Sequence, residues 1–251
     1  MKLKILVIAT LVANFFTLAA TSQEQTPRLE TKDRFVPVIG RNGMVTSREK
    51  IASQVGVDIL KKGGNAVDAA VAVGFAMAVT YPQAGNLGGG GFMVIHLAKE
   101  NKSIAIDYRE MAPAAASREM FLNADGTVNE MSSRFTHKAT GVPGTVAGMA
   151  HALKNYGTMS LQEVMRPAYD LALAGFPMYN YLEGSLNARK ERMMQNDAAA
   201  KVFYKKDGSS YKYGETFKQK DLAWSLKRIM EGGEKEFYHG EIAERIVADM
   251  E

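Results

Sequence analysis

The chain has 251 residues, with 31 Lys+Arg against 27 Asp+Glu for a net charge of +4, and no cysteine. The missing thiol excludes a disulfide framework, a cysteine-ligated zinc or iron–sulfur site and a cysteine nucleophile. A hydrophobic fraction of 46% with 23% charged residues fits a globular protein with a sizeable core, and so mild a basic balance is no nucleic-acid signal.

At the N-terminus Lys2 and Lys4 precede the apolar run Ile5 to Ala13, which is followed by Asn14, Phe15, Phe16 and the small residues Ala19, Ala20, Thr21 and Ser22. This is the three-part layout of a secretory signal peptide, assigned to residues 1–22, with cleavage after Ala19, Ala20 or Ser22. Export to the periplasm or the exterior is the expectation. An uncleaved membrane anchor is the competing reading, but the run is short for a span of about 20 apolar residues and Asn14 interrupts it. Loss of Lys2 and Lys4 lowers the net charge from +4 to +2, and no later stretch is long and apolar enough to cross a bilayer.

Residues 23–41 are polar, carry Pro27 and Pro37 and lack a sustained period, so they read as an extended lead-in to a domain over 42–251. Gly43 to Ser47 predicts a short buried strand. Lys50 to Lys62 spaces Ile51, Val55, Ile59 and Leu60 as a helix, which Gly63 and Gly64 close. A second helix follows from Asn65 to Val79. Its only charge is Asp68, so it is expected to be buried on nearly all sides.

The segment Tyr81 to Phe92 (YPQAGNLGGGGF) holds four consecutive glycines, Gly88 to Gly91. Such a run suits close passage of backbone past backbone or ligand, or else a flexible surface turn. No Lys-Ser/Thr pair follows it, so it does not fit the G-x-x-x-x-G-K-[ST] phosphate-cradling pattern. Phe92 to Leu97 and Ser103 to Tyr108 predict a hairpin across the charged turn Ala98 to Lys102. Arg109 stands at the end of its second strand, before Pro113. An arginine there either pairs with a neighbour such as Asp107 or Glu110, or presents its planar fork to a ligand carboxylate.

Several segments then point to one family. Gln54 to Val79, Tyr81 to Phe92, Ile106 to Pro113 (IDYREMAP), Gly141 to Gly148 (GVPGTVAG), Tyr156 to Ala172, Asp221 to Glu231 and Glu236 to Ala243 together resemble, in order, the large-subunit region of bacterial γ-glutamyltranspeptidase, also called glutathione hydrolase. The resemblance implies an α+β fold of the N-terminal-nucleophile hydrolase type, an αββα sandwich left incomplete without the small subunit. It implies a precursor that cleaves itself, a threonine nucleophile at the start of the small subunit whose own amine is the base, and no metal or organic cofactor. The partners implied are glutathione and other γ-glutamyl compounds, and a small subunit from the same precursor. Arg109 matches the family's substrate arginine and is expected to hold the α-carboxylate of the γ-glutamyl group. Thr80, Thr140, Thr145 and Thr158 do not sit in the family's processing motif and read as capping, strand or turn residues. The nucleophile is therefore expected beyond Glu251, and this stretch alone is expected to be inactive.

Two other readings remain at this stage: a γ-glutamyl-binding or scaffold protein without chemistry, and the large-subunit part of a related cephalosporin-type acylase. His96, His137, His151 and His239 have no partners at metal-ligand spacing and read as structural or solvated. Lys201 to Lys212 mixes basic and aromatic residues, but Asp207-Gly208-Ser209-Ser210 marks a hairpin turn between short strands and not a nucleic-acid patch. Glu241 to Glu251 predicts an amphipathic helix.

Overall fold

The structure, a computed structural model, describes residues 38–250. The signal peptide and most of the lead-in fall outside the described residues. A compact unit begins at Asn42, and its first helix, α1 (Lys50–Lys61), starts where the buried Glu49 carboxylate accepts hydrogen bonds from the Ile51 and Ala52 amides at 2.8 and 2.9 Å. An acidic cap satisfies two otherwise orphaned donors and favours the positive end of the helix. The helix ends in a left-handed turn: Gly63 has φ +94°, its amide reaches the Leu60 carbonyl and that of Gly64 reaches Ile59. Residues 43–47, expected as a strand, form none. Their alternation has no neighbouring strand to pair with among the described residues; Met44 is exposed, and Val45 packs on Gly56.

Helix α2 (Ala66–Thr80) is the centre of the core. Val71, Phe75, Ala76 and Val79 are fully buried, each large side chain contributing about 1.5–3 kcal/mol by leaving water. Its N-terminus is a capping box in which Asn65 and Asp68 satisfy each other's backbone amides. Strands β1 (Phe92–Leu97) and β2 (Lys102–Asp107) pair antiparallel with Phe92 opposite Asp107 and Leu97 opposite Lys102. One face, with Met93, Ile95, Leu97 and Ile106, packs inward; on the other Phe92 and Val94 are exposed.

After a short helix α3 (Glu130–Phe135), helices α4 (Thr145–Tyr156) and α5 (Leu161–Ala174) pack on α2. A second two-stranded sheet joins β3 (Phe176–Pro177) to β4 (Thr216–Phe217), with the Phe176 and Phe217 rings edge to face at 5.8 Å. Helices α6 (Asn180–Met193) and α7 (Asp197–Phe203) lie between these strands in sequence; α8 (Lys220–Gly232), α9 (Glu234–His239) and α10 (Glu241–Met250) follow.

The turn expected at Asp207 to Ser210 forms, closed by the Lys205 amide on the Ser209 carbonyl. The strands expected beside it do not: Lys201 to Phe203 belong to α7, and only Tyr204 bridges Ser210. A short apolar run such as Val202-Phe203-Tyr204 carries no period long enough to separate the two states. No helix among the described residues is long and apolar enough to cross a membrane.

Candidate functional site

Arg109 lies two residues past the end of β2, on a length of chain held by two other segments, the glycine run and residues 142–144. From the first segment, Gly91 exchanges two backbone hydrogen bonds with Tyr108, at 3.3 and 3.0 Å. Gly90 lies so close that a Cβ there would sit 2.5 Å from the Tyr108 carbonyl oxygen and 2.9 Å from the Arg109 carbonyl carbon. This is the close backbone approach that the glycine run permits, and here it sets the level of Arg109. From the second segment, a Cβ on Gly144 would collide with the same Tyr108 carbonyl oxygen. Beyond Arg109, Met111 and Val142 exchange amide–carbonyl bonds at 3.2 and 2.8 Å.

The two segments are also joined to each other. The amides of Gly144 and Thr145 both donate to the Gly89 carbonyl, at 2.7 and 3.0 Å. The Thr145 hydroxyl donates to Asn86 Oδ1 at 2.7 Å, and the same oxygen accepts from the Gly89 amide at 2.9 Å. Helix α4 has no side-chain cap of its own. The Tyr238 hydroxyl serves that end instead, accepting from the Ala147 amide and donating to the Pro143 carbonyl. Burial pushes the Tyr108 and Tyr238 phenols up from their ordinary range.

The Arg109 side chain itself is exposed. Asp107 Oδ1 accepts from the backbone amide of Arg109 at 3.0 Å and not from its guanidinium. Among the described residues no carboxylate pairs with that guanidinium, in contrast to Arg228, which bonds Glu236 at 2.6 Å, and Arg245, which bonds Glu241 at 2.6 Å. A guanidinium offers five N–H donors in a planar fork. Here the backbone beneath it is fixed and the fork is left to solvent, an arrangement suited to gripping a carboxylate.

The other singled-out residues lie elsewhere. His96 Nδ1 contacts Ser103 Oγ at 3.1 Å on the exposed face of the hairpin, and His137 lies 3.4 Å from Asp249. Among the described residues no group of three His, Asp or Glu side chains could hold a metal ion. Thr158 serves Asp68, and Thr80 bonds back to the Ala76 carbonyl. A cavity of about 630 Å³ between α2, α7 and α8, lined in part by Lys201, Phe203, Tyr211 and Gln219, does not include Arg109.

Sequence reasoning singled out Arg109 and the glycine run but missed Asn86 and Tyr238, and read Thr145 only as a cap or turn residue. Their bonds run to partners 59 to 95 residues away, and such links leave no local pattern.

The family model for gamma-glutamyltranspeptidase matches residues 52–251. The chain belongs to the gamma-glutamyltranspeptidase family. It is 51% identical over 220 residues to the glutathione hydrolase proenzyme of Escherichia coli, a match that covers 88% of this chain and 38% of that one. The gamma-glutamyltranspeptidase of Helicobacter pylori superposes with a TM-score of 0.83 at 45% identity, covering 85% of this chain and 61% of the other. That of Pseudomonas nitroreducens, solved in complex with L-DON, gives 0.78 at 40% identity over 84% and 61%. The chain thus spans 38% of the Escherichia coli proenzyme and 61% of each of the two solved chains, and within that span it carries the glycine run, the Arg109 shelf and the start of α4.

Proposed function

We propose that this chain is the large-subunit part of an exported γ-glutamyltransferase and glutathione hydrolase, and that Arg109 holds the α-carboxylate of the γ-glutamyl group. The observation that carries the reading is a guanidinium that pairs with no carboxylate among the described residues, on a backbone held by the Gly91–Tyr108 bonds and the Met111–Val142 bridge. Two parallel charge-assisted bonds from the fork to a carboxylate fix both the position and the rotation of the donor substrate. The 51% identity to a glutathione hydrolase proenzyme favours γ-glutamyl compounds over cephalosporin side chains as substrate, and an enzyme over a scaffold.

In the proposed reaction the nucleophile is a threonine at the start of a small subunit cut from the same precursor. Its hydroxyl attacks the γ-carbonyl carbon while its α-amine takes the proton. The C–N bond breaks, the proton passes to the departing amine of the cysteinyl-glycine, and a γ-glutamyl ester remains. Water or the amine of an acceptor amino acid or peptide then attacks the ester and releases the threonine hydroxyl. Arg109 takes no part in the proton transfers; its role is to hold the γ-carbonyl where the hydroxyl can reach it.

The same proposal includes the rest of the precursor. Residues 1–22 direct export and are removed, residues 23–41 lead in, and 42–251 join the small subunit to complete a four-layer αββα sandwich, whose strands would continue from the β1–β2 hairpin. The direct test is Arg109→Lys in the complete, processed enzyme. A point charge cannot reproduce a bidentate contact, so KM for a γ-glutamyl donor should rise about tenfold with autoprocessing unchanged. An unchanged KM would remove Arg109 from the site.

A further inference from the structure

We propose that Thr145 and Asn86 are positioning residues for Arg109, acting through the glycine loop to set the affinity for the γ-glutamyl carboxylate; this rests on the reading of Arg109 as the carboxylate holder. The geometry that carries it is a closed circuit. Asn86 Oδ1 accepts from the Thr145 hydroxyl at 2.7 Å and from the Gly89 amide at 2.9 Å, while the Gly89 carbonyl accepts from the Gly144 and Thr145 amides at 2.7 and 3.0 Å. Gly89 is therefore tied to the start of α4 directly through its carbonyl and, by way of Asn86, through its amide. A Cβ on Gly90, the next residue, or on Gly144 would meet the same Tyr108 carbonyl oxygen, so the glycine loop and the start of α4 both close on the backbone that leads into Arg109. Asn86 and Thr145 thus fix how the glycine loop meets the start of α4 beside Arg109.

The chemistry of Thr145 supports a dedicated role. It is the first residue of α4 and 2% exposed, yet its hydroxyl is not spent on its own helix. It reaches across 59 residues of sequence to the loop instead. The Asn86 amide group in turn donates to the Ala84 carbonyl at 3.1 Å, which fixes the amide plane and aims Oδ1 at both donors. A bidentate grip tolerates misplacement of only about 0.5 Å and 10–20°, so a loosened junction costs affinity before it costs fold.

The test measures KM, kcat and the inhibition constant of L-glutamate for Thr145→Val, Thr145→Ser and Asn86→Ala in the complete, processed enzyme, each with Arg109 present and with Arg109→Ala. Thr145→Val keeps the shape and deletes one hydrogen bond, so KM and the inhibition constant should rise about fivefold with kcat within about twofold. Thr145→Ser keeps the hydroxyl and should restore both to within about twofold of the parent. In the Arg109→Ala background the Thr145→Val effect should vanish, because the residue it acts through is gone. Asn86→Ala breaks the same circuit at its other end and should reproduce the pattern, which keeps the test decisive if Thr145→Val fails to fold.

Three results would overturn the inference while leaving Arg109 in place: no change in KM with Thr145→Val or Asn86→Ala, failure of Thr145→Ser to rescue, or an equal effect with and without Arg109. If Arg109→Ala alone leaves KM unchanged, the underlying reading of Arg109 fails instead.

Discussion

Asp68 and Arg109 are both charged residues held against glycine, and they differ in how much of their bonding capacity the protein uses. Asp68 is fully buried at the start of α2. Its two oxygens accept from the amides of Asn65, Thr158 and Met159 and from the Thr158 hydroxyl, at 2.6 to 3.1 Å. A carboxylate has about four acceptor sites, so this one is saturated, and Gly157 leaves no room beside it, since a Cβ there would lie 2.6 Å from Oδ1. Arg109 has the opposite balance: its backbone is fixed by neighbours, and none of its side-chain donors is spent on a described carboxylate. A saturated buried charge is an architectural fastener, and an unspent charge on a rigid base is available to a ligand.

Asp68→Asn is expected to separate the two roles most strongly. The amide retains one acceptor oxygen but turns an NH₂ toward donors that need an acceptor. Loss of charged bonds and the unsatisfied amides should cost about 3 kcal/mol, lowering the midpoint of thermal unfolding by about 6–12 °C for a unit of this size. KM of the folded fraction should not move. A shift in KM with little loss of stability would reverse the assignment of Asp68.

Gly144→Ala should cost about 1–3 kcal/mol, because the new methyl meets backbone at Tyr108 and not a flexible side-chain end. Unlike the change at Asp68 it pushes on the Arg109 shelf, so thermal unfolding and KM should worsen together. Separation of the two effects would show that the shelf does not transmit strain to the arginine.

The smallest effect concerns pH. Burial, the largest single influence on the Asp68 carboxyl, pushes its pKa up, but the hydrogen bonds from Thr158, Asn65 and Met159 together outweigh burial and leave it below the ordinary carboxylate value. A depressed folded pKa contributes stability that is present above the unfolded value of about 3.9 and lost as pH falls through the folded one. Chemical denaturation followed from pH 5 downward should show this acid loss, and Asp68→Asn should remove its share. An identical acid slope in the two proteins would contradict the account.

The helices were legible where a period and a stop signal coincided. Ile51, Val55 and Ile59 with Gly63-Gly64 placed α1 to within a residue of its observed end, Lys61, and the apolar run around Asp68 marked α2 as central. The β1–β2 hairpin was legible from two apolar runs and one charged turn. Gly43 to Ser47 misled because alternation makes a strand only where a partner strand offers hydrogen bonds, and Lys201 to Phe203 misled because seven helical residues show too little period.

At the site, the position of Arg109 near a strand end could be read directly, while the role proposed for it came from the resemblance of the whole Ile106 to Pro113 segment. The spacing Asn65-Ala66-Val67-Asp68 is a capping-box pattern that could have assigned Asp68 to a helix start. The bond from Thr145 to Asn86 and the cap from Tyr238 could not be read, since each joins segments that only the folded chain brings together.

The contrast between a spent and an unspent charge is tested most directly by measuring the affinity of the complete enzyme for a γ-glutamyl ligand and for the same ligand with its α-carboxylate replaced by a carboxamide. The parent protein should prefer the carboxylate by about 100-fold, about the value of one hydrogen bond between charged groups, since the carboxamide keeps one acceptor oxygen. Arg109→Ala should abolish the preference and leave thermal unfolding unchanged. A preference that survives in Arg109→Ala would contradict the claim that this arginine reads the carboxylate.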